Sequence, residues 1–173
     1  NYLERRYRNA IKSLRFVRLS ASEVEQLSLV LPSRSNDLFY RESVKSFLSA
    51  CINKCKERDI QIHTLDHPIG LTLKYLSKPK KITIKGNVGD DIGNQMNGSS
   101  VEIYGNAGDF LGQNMRAGRI IVHGSVGTHL GVFMSGGEIH VDGEIEELLR
   151  YPEFLGGDVY HKGRQIVRGG KLL

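Results

Sequence analysis

The chain has 173 residues, with 24 Lys and Arg, 19 Asp and Glu, 20 glycines and two cysteines. This length allows one or two domains with a buried core, and two cysteines exclude a disulfide framework. No apolar run reaches membrane-spanning length and no signal peptide is visible, so we expect a cytoplasmic protein that does not contact a membrane.

The charge divides the chain into two parts. Residues 1–80 contain 15 basic and 8 acidic side chains, whereas residues 81–173 contain 9 and 11. We therefore predict a basic N-terminal α/β subdomain or cap over 1–80, followed by a second domain over 81–173. Basic residues are dense among the first 18, namely Arg5, Arg6, Arg8, Lys12, Arg15 and Arg18. Without a recognisable nucleic-acid module, this segment indicates a solvated or partner-docking arm rather than nucleic-acid binding.

Two helices are predicted in the N-terminal part. Ser20 and Glu23 have the spacing of a capping box, which predicts a helix from about residue 20 to Leu29. From about Asp37 to Arg58 the apolar residues recur at helical spacing, as Val44, Phe47, Leu48, Cys51, Ile52 and Cys55. Lys45 and Ser46 fall on the opposite, polar face of that helix. Short strands at residues 60–62 and 69–73 then lead into the second domain.

A 19-residue repeat begins at Ile82. Its copies start at Ile82, Val101 and Ile120, and a fourth opens at Ile139. Three glycine positions recur in phase: Gly86, Gly105 and Gly124; Gly89, Gly108 and Gly127; Gly93, Gly112 and Gly131. A fixed period of this size indicates a stacked repeat architecture.

Each copy opens with alternating β-branched residues, which predicts a short strand. Further apolar columns follow in phase: Val88, Ala107, Val126 and Ile145; Ile92, Leu111, Leu130 and Leu149; Met96, Met115 and Met134. Nineteen residues are too few for a strand–helix–strand crossover with ordinary loops. We therefore predict a mainly β fold, a parallel β-helix with these columns inside and the glycines as its structural corners.

Two other interpretations of the repeat are disfavoured. A dinucleotide-binding loop needs G-x-G-x-x-G before a helix, but the spacing here is G-x-x-G-x-x-x-G and no helical period follows. The L-x-x-L-x-L core of leucine-rich repeats is also absent. We therefore expect no cofactor bound by this chain.

The repeat resembles that of the GXGXG family, which includes the β-helical subunit of formylmethanofuran dehydrogenase and the C-terminal domain of the glutamate synthase large subunit. Residues 101–124, VEIYGNAGDFLGQNMRAGRIIVHG, carry the resemblance most clearly. The resemblance covers about residues 80–145. It implies a right-handed β-helix that carries no reaction chemistry and docks other subunits of an oxidoreductase.

Two clusters are candidate sites. Cys51, Cys55, His63 and His67 have a zinc-like order, but seven residues separate the pairs instead of about twelve, and both cysteines lie on the apolar stripe. We therefore expect core cysteines and no metal. His123, His129 and Asp109 are the catalytic candidates, with surface histidines as the alternative. After Gly143 the repeat stops, and residues 159–161 and 165–167 predict a closing strand pair.

The leading hypothesis is thus a non-catalytic scaffold or docking component of a multi-subunit oxidoreductase, similar to the β-helical subunit of formylmethanofuran dehydrogenase. Its partners would be other protein subunits, or further copies of the chain in a homo-oligomer. The alternatives are a module like the glutamate synthase C-terminal domain, and a freestanding enzyme with its site on the coil face.

Overall fold

The computed structural model describes residues 2–14, 17–30, 38–69, 76, 78–147 and 154–173. Three helices come first, α1 (Tyr2–Ser13), α2 (Ala21–Val30) and α3 (Leu38–Lys54). The strands are β1 (Asp59–Ile69), β2 (Lys81–Val88), β3 (Asn97–Tyr104), β4 (Ala117–Val122), β5 (Val126–Thr128), β6 (Ser135–Val141), β7 (Ile145–Glu147), β8 (Gly156–His161), β9 (Arg164–Arg168) and β10 (Lys171–Leu172).

The strands form a parallel β-solenoid of about five turns, with about 19 residues per coil, which confirms the predicted fold. The main sheet has the order β1-β2-β3-β4-β6-β8-β9-β10, and β5 pairs with β7 in a second sheet. Equivalent repeat positions are direct neighbours, since Ile82 pairs with Val101, Val101 with Ile120, and Ile120 with Ile139. The 19-residue period of the sequence therefore equals the offset between paired residues of neighbouring repeat strands.

The predicted apolar columns fill the interior. Ile82, Val101, Ile120 and Ile139 are each 0% exposed, and so are Met96, Met115 and Met134. The first three residues of the Val88 column and of the Ile92 column are also buried. Ile145, the fourth residue of the Val88 column, is partly buried. The side chain of Leu149 lies outside the described residues. Each coil thus contributes the same few side chains to a core that runs along the stack.

The solenoid begins before the sequence repeat. Strand β1 pairs in parallel with β2, with Ile60 opposite Ile82 and Ile62 opposite Ile84. It is a coil strand, although it lacks the glycine spacing that marks the repeat. The strand predicted at 69–73 lies outside the described residues beyond Ile69, the last residue of β1.

Helix α2 packs on β1 and starts with the predicted capping box. The Ser20 backbone N–H donates to Glu23 Oε2 at 2.8 Å, and the Glu23 N–H donates to Ser20 Oγ at 3.3 Å. Further along the helix, the buried Ser28 hydroxyl accepts the backbone N–H of His63 at 2.9 Å. Helix α2 therefore supplies an acceptor to a strand at the end of the sheet.

Helix α3 is more buried than predicted. Its apolar stripe belongs to the same core as the solenoid columns, which confirms the helix. Lys45 and Ser46, predicted to be exposed, are only 7% and 6% exposed, so that prediction was wrong. The reason is that α3 packs against α1 as well as β1. The Lys45 ammonium lies 3.5 Å from Asp91 Oδ2, which links α3 to the first repeat coil.

The ends of the chain differ in how closely they were predicted. The basic arm is helical in part, as α1, and Arg5, Arg8 and Lys12 on it are exposed. The closing strand pair is confirmed, because β9 runs antiparallel to β8. The turn between them has φ of 50° at Lys162 and 76° at Gly163, as expected for a two-residue hairpin turn.

Candidate functional site

The outward side of the main sheet brings together the most polar and aromatic side chains of the repeat coils. Lys85, Tyr104, His123 and Asp142 occupy equivalent positions, one per coil. The Lys85 ammonium lies 3.5 Å from the centre of the Tyr104 ring, and the Tyr104 and His123 rings are 4.6 Å apart. Equivalent positions stack because the coils are in register. We call this row, with Glu102 beside it, the His123 cluster.

His123 is held between two carboxylates. Its Nε2 lies 3.0 Å from Glu102 Oε1, and its Nδ1 lies 2.8 Å from Asp142 Oδ2. Tyr104 donates its hydroxyl proton to the same Glu102 oxygen at 2.9 Å. Both ring nitrogens can donate at once only when the imidazole is protonated. The geometry therefore favours a cationic His123.

The pKa values in the cluster shift as these contacts require. The hydrogen bond to Glu102, and then the one to Asp142, raise the pKa of His123 above its usual value. The same His123 contact, with that of Tyr104, lowers the pKa of Glu102. Glu102 in turn raises the pKa of Tyr104. A general base needs an unprotonated nitrogen facing substrate, so this arrangement favours fixed charge over proton transfer.

A second group continues the same surface. The rings of His140 and Tyr160 stack with centroids 4.4 Å apart and an angle of 4° between them. Glu138 Oε2 accepts from Arg119 Nε at 2.9 Å and Nη2 at 2.6 Å, and lies 3.2 Å from His140 Nε2. The His140 and Arg119 hydrogen bonds lower the pKa of Glu138. The face is thus an ordered array of aromatic rings and paired charges.

The other two catalytic candidates lie elsewhere, beside the small sheet. Asp109 Oδ1 accepts the backbone N–H of Thr128 at 2.7 Å, and Asp90 Oδ1 accepts that of Asp109 at 2.9 Å. His129 follows Thr128, with its Nδ1 2.7 Å from the Thr128 hydroxyl and its ring stacked on Phe110. Asp109 therefore joins one coil to the next. Neither Asp109 nor His129 is among the hydrogen-bond partners of His123, which are Glu102 and Asp142.

The zinc candidates have separate surroundings. Cys51 is fully buried, and burial raises the pKa of its thiol to about 12. The Cys55 thiol donates to Glu57 Oε2 at 3.2 Å. His63 Nε2 lies 2.9 Å from Glu25 Oε1 and 3.0 Å from the Gln61 amide nitrogen. The side chain of His67 lies outside the described residues, and across the part that is described no three His, Cys, Asp or Glu side chains form a metal-ligand group.

The predicted corner glycines have two different reasons to be glycine. Gly93, Gly112 and Gly131 have φ of 73°, 69° and 65°, a conformation that residues with a side chain rarely adopt. Gly105 has no positive φ, but a Cβ there would lie 2.4 Å from the carbonyl oxygen of Gly86 in the preceding coil. Close coil stacking explains its identity. The bends also use residues that are not glycine, since Phe110 and His129 both have φ of 59°.

Comparisons with protein-family models, with curated proteins and with solved structures found no match to this chain. Among the described helices, none is both long and apolar enough to cross a membrane. Glu102, Tyr104 and Asp142 were not among the predicted site residues. The sequence could have indicated them by position, because all three fall on the outward side of a repeat strand. Tyr104 and Asp142 lie one residue before the first glycine of their repeat, and Glu102 lies three residues before it.

Proposed function

We propose that this chain is a docking module, a β-solenoid whose outward main-sheet face binds another protein in a larger assembly. The observation that carries the proposal is the array of Tyr104, His123, His140 and Tyr160 on one regular surface. Tyr104 is 44% exposed although it is an aromatic residue on a strand inside the sheet. Aromatic residues are enriched in protein interfaces, where a ring adds apolar area and a polar atom adds specificity.

The arrangement of charge on this face supports the same function. Glu138 contacts both Arg119 and His140, and His123 contacts both Glu102 and Asp142. Such pairs hold the side chains in place before a partner arrives, which lowers the entropy lost on binding. They also give the face alternating charge, which favours partners of complementary pattern.

The assembly we propose is an oxidoreductase, in which this chain has no activity of its own. This part of the proposal is supported by the resemblance of the repeat to the GXGXG family. A docking role suits a solenoid, because stacked coils present a long and regular surface.

Affinity capture with a matched pair of aromatic variants tests the proposal. The tagged chain is expressed at native level in its host, and captured proteins are compared for the original chain, Tyr104→Ala/Tyr160→Ala and Phe133→Ala. Phe133 is 41% exposed, close to Tyr104, but lies in the turn before β6. We expect a stoichiometric partner that is lost with the tyrosine variant and kept with Phe133→Ala. Equal retention by both variants would rule out this face as the docking surface.

The oxidoreductase assignment has its own readout. Redox-active cofactors or catalytic subunits should accompany the captured chain, and the isolated chain should contain none. A stoichiometric partner without redox chemistry would support the docking role and contradict the assignment of the assembly as an oxidoreductase.

A further inference from the structure

A basic groove crosses the starts of strands β1 to β4. It has a volume of about 530 Å³ and is open to solvent. Asp59, Lys81, Ser100 and Arg119 line it in register, one from each strand. Arg58 precedes Asp59 at the same end of the sheet. Because these residues lie toward the starts of their strands, the groove lies apart from Tyr104 and His123, which are at the opposite strand ends.

Positive charge dominates the groove. Arg58, Lys81 and Arg119 are cationic and all three are exposed, whereas Asp59 is the one acidic residue among the described residues that line it. Arg119 gives only its Nε and one Nη to Glu138, so further guanidinium N–H groups are available to a ligand. Three cations close together on one shallow surface attract an anion more strongly than scattered surface charges do.

A buried lysine, Lys80, is also among the residues that line the groove. Lys80 is 6% exposed, and its ammonium donates to the carbonyl oxygens of Cys55 at 2.5 Å and Glu57 at 2.7 Å. Burial lowers the pKa of Lys80, with the charges of Cys55 and Glu57 acting in the other direction. These contacts hold Lys80 and the loop after α3 in a fixed position, so the groove is formed before a ligand binds.

Two hydroxyl groups complete the lining. The buried Ser99 Oγ accepts the backbone N–H of Lys80 at 3.2 Å, which leaves the hydroxyl proton to be donated. Ser100 is the next residue and also lines the groove. Serine hydroxyls and guanidinium groups together are donors that phosphate and carboxylate oxygens accept.

We propose that this groove binds a small organic polyanion, a molecule with phosphate groups or several carboxylates. The groove is wide and shallow, so the charge of its lining, rather than enclosure, would hold the ligand. A multivalent anion fits the lining, because Arg58 and Lys81 are both exposed and Arg119 has guanidinium N–H groups beyond those that it gives to Glu138. Arg119 lies at the border of the groove and the proposed docking face, so the variants that test the groove leave Arg119 unchanged.

Calorimetric titration with tripolyphosphate and with citrate tests the proposal at about 0.02 M and about 0.2 M salt. We expect saturable binding of one molecule per chain that weakens as salt rises. The double variant Arg58→Gln/Lys81→Gln should weaken binding roughly tenfold or more, since two charge-assisted contacts are lost. Arg164→Gln/Lys171→Gln is the matched control, because it also removes two exposed cations, and both residues lie on β9 and β10, outside the groove. It should leave binding within about twofold.

A second variant keeps the result interpretable if the first is unstable. Ser100→Asp places a negative charge in the groove and should abolish binding while the melting temperature stays close to that of the original chain. Binding of tripolyphosphate alone identifies a phosphate site, and binding of both probes identifies a site for multivalent anions in general. Absence of binding by both probes, or an equal loss in Arg164→Gln/Lys171→Gln, would overturn the proposal.

Discussion

Single residues set the distance between coils in this solenoid. At Gly105, an added Cβ would lie 2.4 Å from the Gly86 carbonyl oxygen and 2.8 Å from the Asn87 nitrogen, both backbone atoms of the preceding coil. Backbone cannot move aside as the end of a side chain can. Gly163, in the β8–β9 turn, has φ of 76° but nothing within 4 Å of such a Cβ. A substitution at Gly105 therefore measures the steric cost of a side chain between coils, whereas one at Gly163 measures only the cost of a positive φ.

We predict that Gly105→Ala lowers the free energy of unfolding by about 3 kcal/mol, because the coils must separate to admit the methyl group. Gly163→Ala should cost only about 1 kcal/mol, the conformational penalty of a positive φ. Urea denaturation of both variants measures the difference. A cost for Gly105→Ala no larger than that for Gly163→Ala would show that the coils tolerate a wider spacing.

His123 couples the outward face to pH. Because its pKa is raised by folding, its contribution to stability is complete below its ordinary pKa of 6.5 and is lost as pH rises through the raised value. Glu102 acts in the opposite direction, since its pKa is lowered and its contribution is lost as pH falls below 4.5. The cluster is thus most stabilising between these two values.

We predict that the original chain loses at most about 1 kcal/mol of stability from this cluster between pH 6 and pH 9, a small amount because the His123 side chain is 37% exposed. His123→Gln should remove that loss, and Glu102→Gln should reduce it. Denaturation midpoints at a series of pH values test this. An unchanged slope in His123→Gln would mean that another group causes the dependence.

Of the two carboxylates that hold His123, one follows the repeat period and the other is diagonal, and neither was predicted. Asp142 lies 19 residues after His123, so the period could have paired them, but Glu102 is 21 residues before His123. The positive φ of Phe110 had no sequence signal either, because bulky residues rarely adopt that conformation. The same position has a positive φ in the coils before and after it, at Asp91 and His129.

At the scale of the element, α2 is held to β1 by a serine. Ser28 is 0% exposed, and its Oγ accepts the His63 N–H while donating to the Glu25 carbonyl. Ser49 in α3 is a close match, since it is 1% exposed and donates to the Lys45 carbonyl within its own helix. Of these two serines, Ser28 is the one whose hydroxyl joins a helix to a strand.

We predict that Ser28→Ala costs about 1 to 2 kcal/mol more than Ser49→Ala, because it leaves a buried backbone N–H without that acceptor. Hydrogen exchange should show the His63 amide losing protection in Ser28→Ala and keeping it in Ser49→Ala. Similar protection of His63 in both variants would mean that the hydroxyl is not needed at this junction.

The elements that sequence analysis found are those with a local signal. Helix α2 has a capping box and α3 has an apolar stripe, whereas α1 is so rich in Arg that its charge concealed its helical pattern. Strand β1 was predicted only as a short lead-in, because its pairing with β2 depends on tertiary contact and not on a glycine period. The burial of Lys45 likewise depends on tertiary contact, since Lys45 pairs with Asp91 of the first repeat coil.

At the scale of the whole molecule, the two ends of the parallel stack are closed in different ways. Helix α2 packs on β1 at the first end. At the other end the chain reverses, and β9 and β10 add antiparallel strands to β8. Open strand edges promote unwanted pairing between molecules, and here the last strand, β10, has only two residues, which limits growth of the sheet. The face proposed for docking lies between them.

The corner side chains form a ladder with a direction. Asn87 Oδ1 accepts the N–H of Asn106 and Asn106 Oδ1 accepts that of Ser125, each at 2.8 Å, and the Ser125 hydroxyl accepts that of Glu144 at 3.0 Å. In each of these contacts, a corner side chain accepts a backbone N–H from the following coil. A coil is therefore a unit of duplication: a gene that gains or loses 57 nucleotides in this region would lengthen or shorten the stack and still leave each ladder contact paired.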